Sequence, residues 1–258
     1  MRVDLCLVPG ELNHCHVLRR SVVVIDVLRA STTIVTALAH GCRAIIPVEE
    51  VEEAKRIAAT IGDQHVLLGG ERGGVRIEGF ALGNSPSEYQ TAGVKDSTIV
   101  FTTTNGSRLF RMVQNGALVL VGALVNAEAV TRALAQAGQD VLLVCAGREG
   151  RFSAEDFFCA GLLASRLLKL SLRKVELSDA AQVAQRFAVG RASAVRVLQR
   201  SEHGRFLASI GFADDLLVCA EVDAYQIVPQ YAEGVIRTLG TARENGKAHK
   251  PDVGQVRP

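Results

Sequence analysis

The chain of 258 residues has no tryptophan, and its three tyrosines and nine phenylalanines make aromatics only 5% of the total. A core with so few large rings must be filled by Val, Leu, Ile and Ala, the usual filling of buried parallel strands covered by helices. A strong charge of either sign is also missing. Against 29 Lys and Arg stand 27 Asp and Glu, leaving a net charge of +2, far from the basic excess that marks a nucleic-acid partner. No apolar run reaches the roughly 18 residues that a membrane span needs. The N-terminus shows no succession of charged region, apolar run and cleavage site. Six cysteines (Cys6, Cys15, Cys42, Cys145, Cys159, Cys219) are scattered without C-x2-C pairing through a chain long enough to fold without staples. We therefore expect reduced thiols and a soluble cytoplasmic protein with neither nucleic acid nor membrane as partner. A homodimer is the default assembly.

What is present is a repeated unit: an apolar strand, a polar or Gly-rich turn, then an amphipathic helix. The clearest examples are SVVVID (21–26) before STTIVTALAHG, STIVFTTTNG (97–106) before SRLFRMVQNG, and DVLLVCAG (140–147) before SAEDFFCAGLLASRLLKL. Ser31 and Ser153 stand where helix caps are expected, and Gly41 where a helix stops. Shorter strands are predicted at 43–48, 65–70 and 117–124, the second leading into a flexible Gly-rich loop, GGERGG. Such alternation predicts an α/β protein, a three-layer α/β/α stack on a mostly parallel sheet. Residues 178–210 read as helical and LLVCAEVD (216–223) as one more strand. The domain reading is one α/β domain over 1–258, divisible into lobes at about 1–125 and 126–240, with 241–258 a polar tail.

In open α/β sheets, ligands sit beyond the carboxyl ends of the strands, where loops and helix N-termini offer unpaired N–H groups. Polar residues gather there: Asp26, Arg29, Ser31, Thr32 and Thr33; Glu71 and Arg72; Thr102, Thr103, Thr104, Asn105 and Ser107; Arg148, Glu149, Arg151, Glu155 and Asp156. The set suits a small, multiply anionic phosphorylated substrate with carboxylates left for a metal. Other duties compete for several of them. Serines cap helices anywhere, acids in a first helical turn gain from the dipole without catalysis, and TTTNGS is equally good as a plain strand end. An acid ending an apolar strand, as Asp26 does, is costly unless paired or metal-bound. Cys145, with five residues between it and Arg151, has the outline of a cysteine-phosphatase loop. His14-Cys15-His16 is a poor metal site, because three adjacent residues do not readily converge on one ion.

Four segments together carry a resemblance: IDVLRASTTIVTALAHG, LLGGERGGVRIEGFALGNSPSEY, TTTNGSR and VCAGREGRFSAEDFFCAGLL. In this order and spacing, from about residue 20 to 229, they are similar to the 2-phosphosulfolactate phosphatase family. RAST stands where RATT is expected, NGS where NGT is common, and Ser87 where a larger apolar residue is usual; the hydroxyls at Ser31 and Ser107 are kept. The resemblance implies a magnesium-dependent hydrolase that converts 2-phospho-3-sulfolactate to 3-sulfolactate and phosphate, a step of coenzyme M biosynthesis. Substrate contacts are expected from Ser31, Thr32, Arg72, Asn84, Ser85, Thr103, Thr104, Asn105, Gly106, Arg148 and Arg151. Asp26, Arg29 and Glu155 are expected to be catalytic, and some pair among Asp26, Glu71, Glu155 and Asp156 to hold Mg2+. Direct attack by water, an aspartyl phosphate on Asp26 and a thiophosphate on Cys145 stay open as routes, as does a sensor that binds a phosphorylated metabolite without hydrolysing it.

Overall fold

The computed structural model describes residues 1–14, 17–62, 65–104, 106–190 and 193–240. Asn105, the polar tail and most of the His14-Cys15-His16 triplet lie outside the described residues. Among the described residues eleven strands follow one another as β1 (Arg2–Cys6), β2 (Ser21–Ile25), β3 (Ala44–Pro47), β4 (Val66–Arg72), β5 (Val75–Arg76), β6 (Thr98–Thr102), β7 (Leu118–Gly122), β8 (Val141–Cys145), β9 (Glu176–Leu177), β10 (Pro229–Ala232) and β11 (Val235–Thr238). The helices are α1 (Ala30–Ala39), α2 (Val51–Ile61), α3 (Gly106–Val113), α4 (Ala127–Ala137), α5 (Ala154–Leu170), α6 (Asp179–Ala188), α7 (Ala194–Arg200), α8 (Glu202–Ser209) and α9 (Ala213–Ala220). The class is α/β, as the alternation of elements predicts.

All strands join one sheet in the order β5-β4-β6-β3-β11-β10-β7-β2-β8-β1-β9. Two parallel blocks, β4-β6-β3 and β7-β2-β8-β1-β9, flank an antiparallel hairpin, β10–β11, that bridges them. The hairpin turns at Glu233 and Gly234, both at positive φ (51° and 80°), the pair of conformations a two-residue turn of this hand requires. Sequence patterning gives it no strand, because PQYAEGVIRT contains no sustained apolar run. A second departure lies just before it. Residues 213–220 are helical, not the N-terminal part of a strand, and Asp215, Leu216, Cys219 and Ala220 are the buried face of α9, a spacing of one helical stripe.

The sheet that these strands form is not flat. Adjacent strands lie about 4.8 Å apart, so five steps along a flat sheet would part β2 from β6 by about 24 Å. Yet a methyl group placed on Gly106, four residues beyond β6, would lie 3.1 Å from both Asp26 Oδ2 and Ala30 Cβ, just beyond β2. The sheet therefore bends back on itself. Val22 and Val24 of β2 share a core with Ile99 and Phe101 of β6 and with Ile34, Ala37 and Leu38 of α1. Their neighbours Val23 and Ile25 face the other way, into a core with α4, α5 and the later helices, as the twofold alternation of a strand demands. Enclosed by the bend, α1 is buried from Ala30 to Leu38; a helix without a single charged residue has no solvent face to offer.

Serine hydroxyls start four helices. Ser153, Ser178, Ser193 and Ser201 accept hydrogen bonds from the N–H groups of Asp156, Ala181, Arg196 and Gly204, satisfying donors that the first turn leaves orphaned. Ser153 thus caps α5 as expected. Gly62 and Gly138 end α2 and α4 in left-handed conformations.

Candidate active site

The bend brings together the carboxyl ends of strands that are distant along the sheet. At the end of β2 the Asp26 N–H donates to Ser31 Oγ (2.9 Å), and that hydroxyl leans back to the Val24 carbonyl (3.4 Å). At the end of β6 the Thr103 N–H donates to Ser107 Oγ (3.0 Å), which reaches the Phe101 carbonyl (3.5 Å). The same device closes both strand ends. Ser31 is therefore neither a cap nor a cleft residue: α1 begins one residue earlier, and the hydroxyl is buried on backbone groups. Thr32 is likewise turned inward, donating to the Val27 carbonyl at 2.8 Å. What both strand ends expose instead is the space between Asp26 and Gly106, where any Cβ would crowd Asp26 Oδ2, Ala30 and Thr103 Oγ1.

GGERGG forms a tight hairpin rather than a flexible loop. Glu71 pairs with Arg76 and Arg72 with Val75, and Gly73 and Gly74 turn the chain at φ 58° and 82°. Gly70 is required by close approach, since a Cβ there would sit 2.0 Å from the Thr102 carbonyl oxygen. The hairpin delivers Glu71, whose Oε2 accepts from Gly74 N–H (2.7 Å) and Thr104 Oγ1 (3.2 Å) and whose Oε1 accepts from Thr104 N–H (2.8 Å). Arg72 points elsewhere. It donates to the Glu71 and Glu49 carbonyls and to Thr102 Oγ1, so it ties β4 to β6 instead of meeting a ligand.

Arg29 is 2% exposed. Its guanidinium donates to Asp215 Oδ2 (2.7 Å) and to the Gly74 carbonyl (2.6 Å) and lies 4.2 Å over the Phe212 ring. Ser85 donates to the other oxygen of Asp215 at 2.6 Å. Arg29 thus fastens the β4–β5 turn to α9, with its charge matched by a buried carboxylate.

After β8 the chain makes another two-residue turn, with Arg148 and Arg151 exchanging backbone hydrogen bonds (3.0 and 2.8 Å) around Glu149 and Gly150 at φ 51° and 75°. This shape answers the cysteine-phosphatase outline. Cys145 is fully buried in the apolar core, and burial, with Asp156 next in weight, pushes its thiol well above the ordinary value; it is no nucleophile. Asp156 is buried too, accepting from Val27 N–H (2.8 Å) and Gly147 N–H (3.1 Å). Burial, then Asp26 and Glu155, raise its carboxyl well above the aspartate range. It stitches β2 to β8 and, unlike Glu71, is not among the residues lining either cleft described below. Glu155, its neighbour in the first turn of α5, meets His203 Nδ1 of α8 at 3.5 Å. Burial pushes Glu155 up, but His203 and the hydrogen bonds around it more than offset this and hold the carboxyl below the ordinary range.

These groups surround one cleft, lined among others by Asp26, Arg29, Glu71, Asn84, Thr103, Thr104, Arg148 and His203. A second cleft adjoins it, with Arg148 and His203 on both walls and Arg151 and Glu155 within it. Asp26, only 7% exposed, lines the first. Burial raises its carboxyl from 3.8 to about 6; His203 opposes the rise, and Glu71 and Glu155 add to it. A buried acid with two more acids nearby is costly to keep, and such groups concentrate at functional sites.

A sequence model of the 2-phosphosulpholactate phosphatase family matches residues 6–234. The chain belongs to that family. Among similar proteins, one from Carboxydothermus hydrogenoformans is 41% identical over 231 residues, covering 89% of this chain and 93% of its own length. One from Clostridium novyi is 36% identical over 231 residues (90% and 97%), and one from Clostridium acetobutylicum 36% over 236 residues (92% and 100%). Each bears the name "Probable 2-phosphosulfolactate phosphatase".

Of the residues expected to serve this family's chemistry, the cleft brings together Asp26, Arg29, Glu71, Asn84, Thr103, Thr104 and Arg148, with Gly106 against Asp26. Arg151 and Glu155 stand in the adjoining cleft. Ser31, Thr32, Arg72, Ser85 and Asp156 support the walls from behind through the bonds given above, and Asn105 lies outside the described residues. Sequence reasoning passed over His203, Phe206 and Asp215, which come from helices in the irregular C-terminal third. A usable signal existed for one of them: a buried acid in ADDLLVCA becomes visible once the segment is read with helical period.

Magnesium takes hard oxygen ligands and uses one or two carboxylates. Among the described residues no three of His, Cys, Asp and Glu form a ready cluster, but the donors that magnesium asks for are in the cleft. Asp26 and Glu71 offer carboxylate oxygens, and Asn84 Oδ1 is a buried oxygen without a hydrogen-bond partner. These are donors of the kind that a divalent cation takes.

Proposed function

We propose that the Asp26 cleft hydrolyses 2-phospho-3-sulfolactate to 3-sulfolactate and inorganic phosphate with magnesium as cofactor, in the manner of coenzyme M biosynthesis. The observation that carries the reading is the buried Asp26 carboxyl at a bent sheet's junction, its pKa raised by burial and by Glu71 and Glu155, in a cleft that also holds arginine. The substrate bears phosphate, carboxylate and sulfonate, about three to four negative charges near neutral pH. Protein cations alone do not balance it. Arg29 is already matched by Asp215, whereas Arg148 is held only loosely, 3.9 Å from Glu202, and rests over Phe206.

Asp26 and Glu71, with Asn84 Oδ1, would hold the magnesium, which when bound neutralises charge on the phosphoryl oxygens. Arg148 receives an anionic arm of the substrate, and Arg151 in the adjoining cleft serves another. Arg29 keeps the Gly74 turn in place beside Asp26 and so acts on the substrate through the hairpin. The main-chain N–H groups at the start of α3 add fixed positive dipole where phosphate sits. Water is the nucleophile in this reading, because Cys145 is buried and absent from the cleft lining and Asp26 is given to the magnesium rather than to a phosphoryl group.

Phosphate release from 2-phospho-3-sulfolactate and other phosphorylated 2-hydroxy acids, with and without magnesium, tests the proposal. Magnesium-dependent release supports it. Tight binding of these acids without release from any of them would overturn it in favour of a sensor.

A further inference from the structure

We propose that His203 is the general acid that protonates the leaving oxygen of the substrate, with Glu155 as its positioning residue. This inference rests on the phosphatase reading above. Glu155 is 2% exposed at its side chain and stands 3.5 Å from His203 Nδ1. Its second oxygen, Oε2, is buried with no hydrogen-bond partner. A buried carboxylate calls for a cation, and among the described residues the only ion-pair partner of Glu155 is His203.

The two residues are brought together by helix starts. Glu155 stands in the first turn of α5, and His203 in the first turn of α8, fixed by the Ser201 cap through Gly204 N–H at 2.9 Å. The Phe206 ring, 6.4 Å from the imidazole and tilted 31°, supports it one turn on. The same ring carries the Arg148 guanidinium at 4.3 Å, so one aromatic places both a substrate-binding cation and the imidazole on one wall. With Nδ1 on Glu155, the ring's other nitrogen, Nε2, is left for the Asp26 cleft that His203 lines.

The aliphatic 2-hydroxy acid is a poor leaving group unless it gains a proton as it departs. When the bond between phosphorus and the bridging oxygen breaks, its electron pair passes to that oxygen, and the Nε2 proton of His203 joins it to form the alcohol. The attacking water becomes a hydroxyl on phosphorus. Its other proton goes to solvent, which returns one to His203. Glu155 keeps the Nδ1 side engaged throughout, as a carboxylate orients a catalytic imidazole elsewhere.

The test compares esters that differ in how much they need the proton. His203→Asn and, as a second variant in case the first does not fold, Glu155→Gln are assayed with magnesium on 2-phospho-3-sulfolactate and on p-nitrophenyl phosphate, whose phenolate leaves unaided. His203→Asn should lose about 10²–10⁴-fold in kcat on the aliphatic ester, but less than about tenfold on the aryl ester, and Glu155→Gln should show the same selectivity with a smaller loss. Equal losses on both esters, or no loss, overturn the proposal. Should the wild type refuse the aryl ester, the isotope effect of 18O at the bridging position gives the same decision: it rises in the variants if His203 supplies the proton and is unchanged if it does not. A wild type that releases no phosphate from either ester refutes the phosphatase reading itself, and the general acid with it, whereas an active wild type with unselective variants refutes the acid alone.

Discussion

Asp26→Asn should make the metal-free protein more stable while abolishing its turnover. The aspartate carboxyl titrates at about 6 in the folded protein against 3.8 ordinarily, with burial the largest cause. That difference, at about 1.4 kcal/mol per pKa unit, comes to about 3 kcal/mol. The sign follows from which state holds the proton. Between about pH 4 and 6 the unfolded chain has released it and the folded chain has not, so stability falls as pH rises through this window and the full cost is present by pH 7. An amide keeps the shape of the side chain without the charge, and so avoids the cost. For a chain of this size about 3 kcal/mol corresponds to roughly 6–12 °C in Tm. Thermal melts of wild type and variant in chelator, from pH 3.5 to 8, should coincide at the acid end and separate by that amount at the alkaline end. A variant less stable than wild type at pH 7.5, or a gap that does not depend on pH, would refute the reasoning. Magnesium should narrow the gap by stabilising the wild type alone.

Gly106→Ala places a methyl 3.1 Å from Asp26 Oδ2 and from Ala30 Cβ; we expect kcat to fall by about tenfold or more, since small displacements at a reacting centre are costly, with a far-UV spectrum unchanged. Asp215→Ala leaves Arg29 buried without its anion and should cost about 3–5 kcal/mol in urea unfolding, with weaker substrate binding as the Gly74 turn loosens. Cys145→Ser should retain wild-type kcat per folded molecule, because the thiol lies in the core and off the cleft; loss of activity at normal stability would restore the cysteine route.

Much of this site can be read in the sequence, and the parts that cannot have identifiable causes. Buried strands with uniformly apolar runs, such as SVVVI and VLLVC, give themselves away, and so do the polar residues at their ends. Asp26 stands out for the reason that makes it interesting: an acid closing an apolar strand has to be compensated. The roles of its neighbours are harder, because one-dimensional spacing does not tell a hydroxyl facing a cleft from one folded back on a strand-end N–H. Ser31 and Ser107 are the second kind, and Asp156, one residue from Glu155 on α5, faces backbone donors instead of the cleft. The bend of the sheet was hidden for a different reason. It depends on the β10–β11 hairpin inserted between two parallel blocks, a contact between segments more than a hundred residues apart with short strands and mixed polarity. Without that bend, β2 and β6 are far apart and Gly106 has no reason to be glycine. His203 was hidden similarly, as one polar residue in a helical stretch whose partner, Glu155, comes from another helix.

The central claim is that the cleft around Asp26 is a magnesium-dependent phosphatase site, and the most direct measurement is phosphate release from 2-phospho-3-sulfolactate by wild type and Asp26→Asn side by side across a magnesium titration. The account predicts saturable, magnesium-dependent release by the wild type and none above background by the folded variant; equal release by the two proteins, or release indifferent to magnesium, would contradict it.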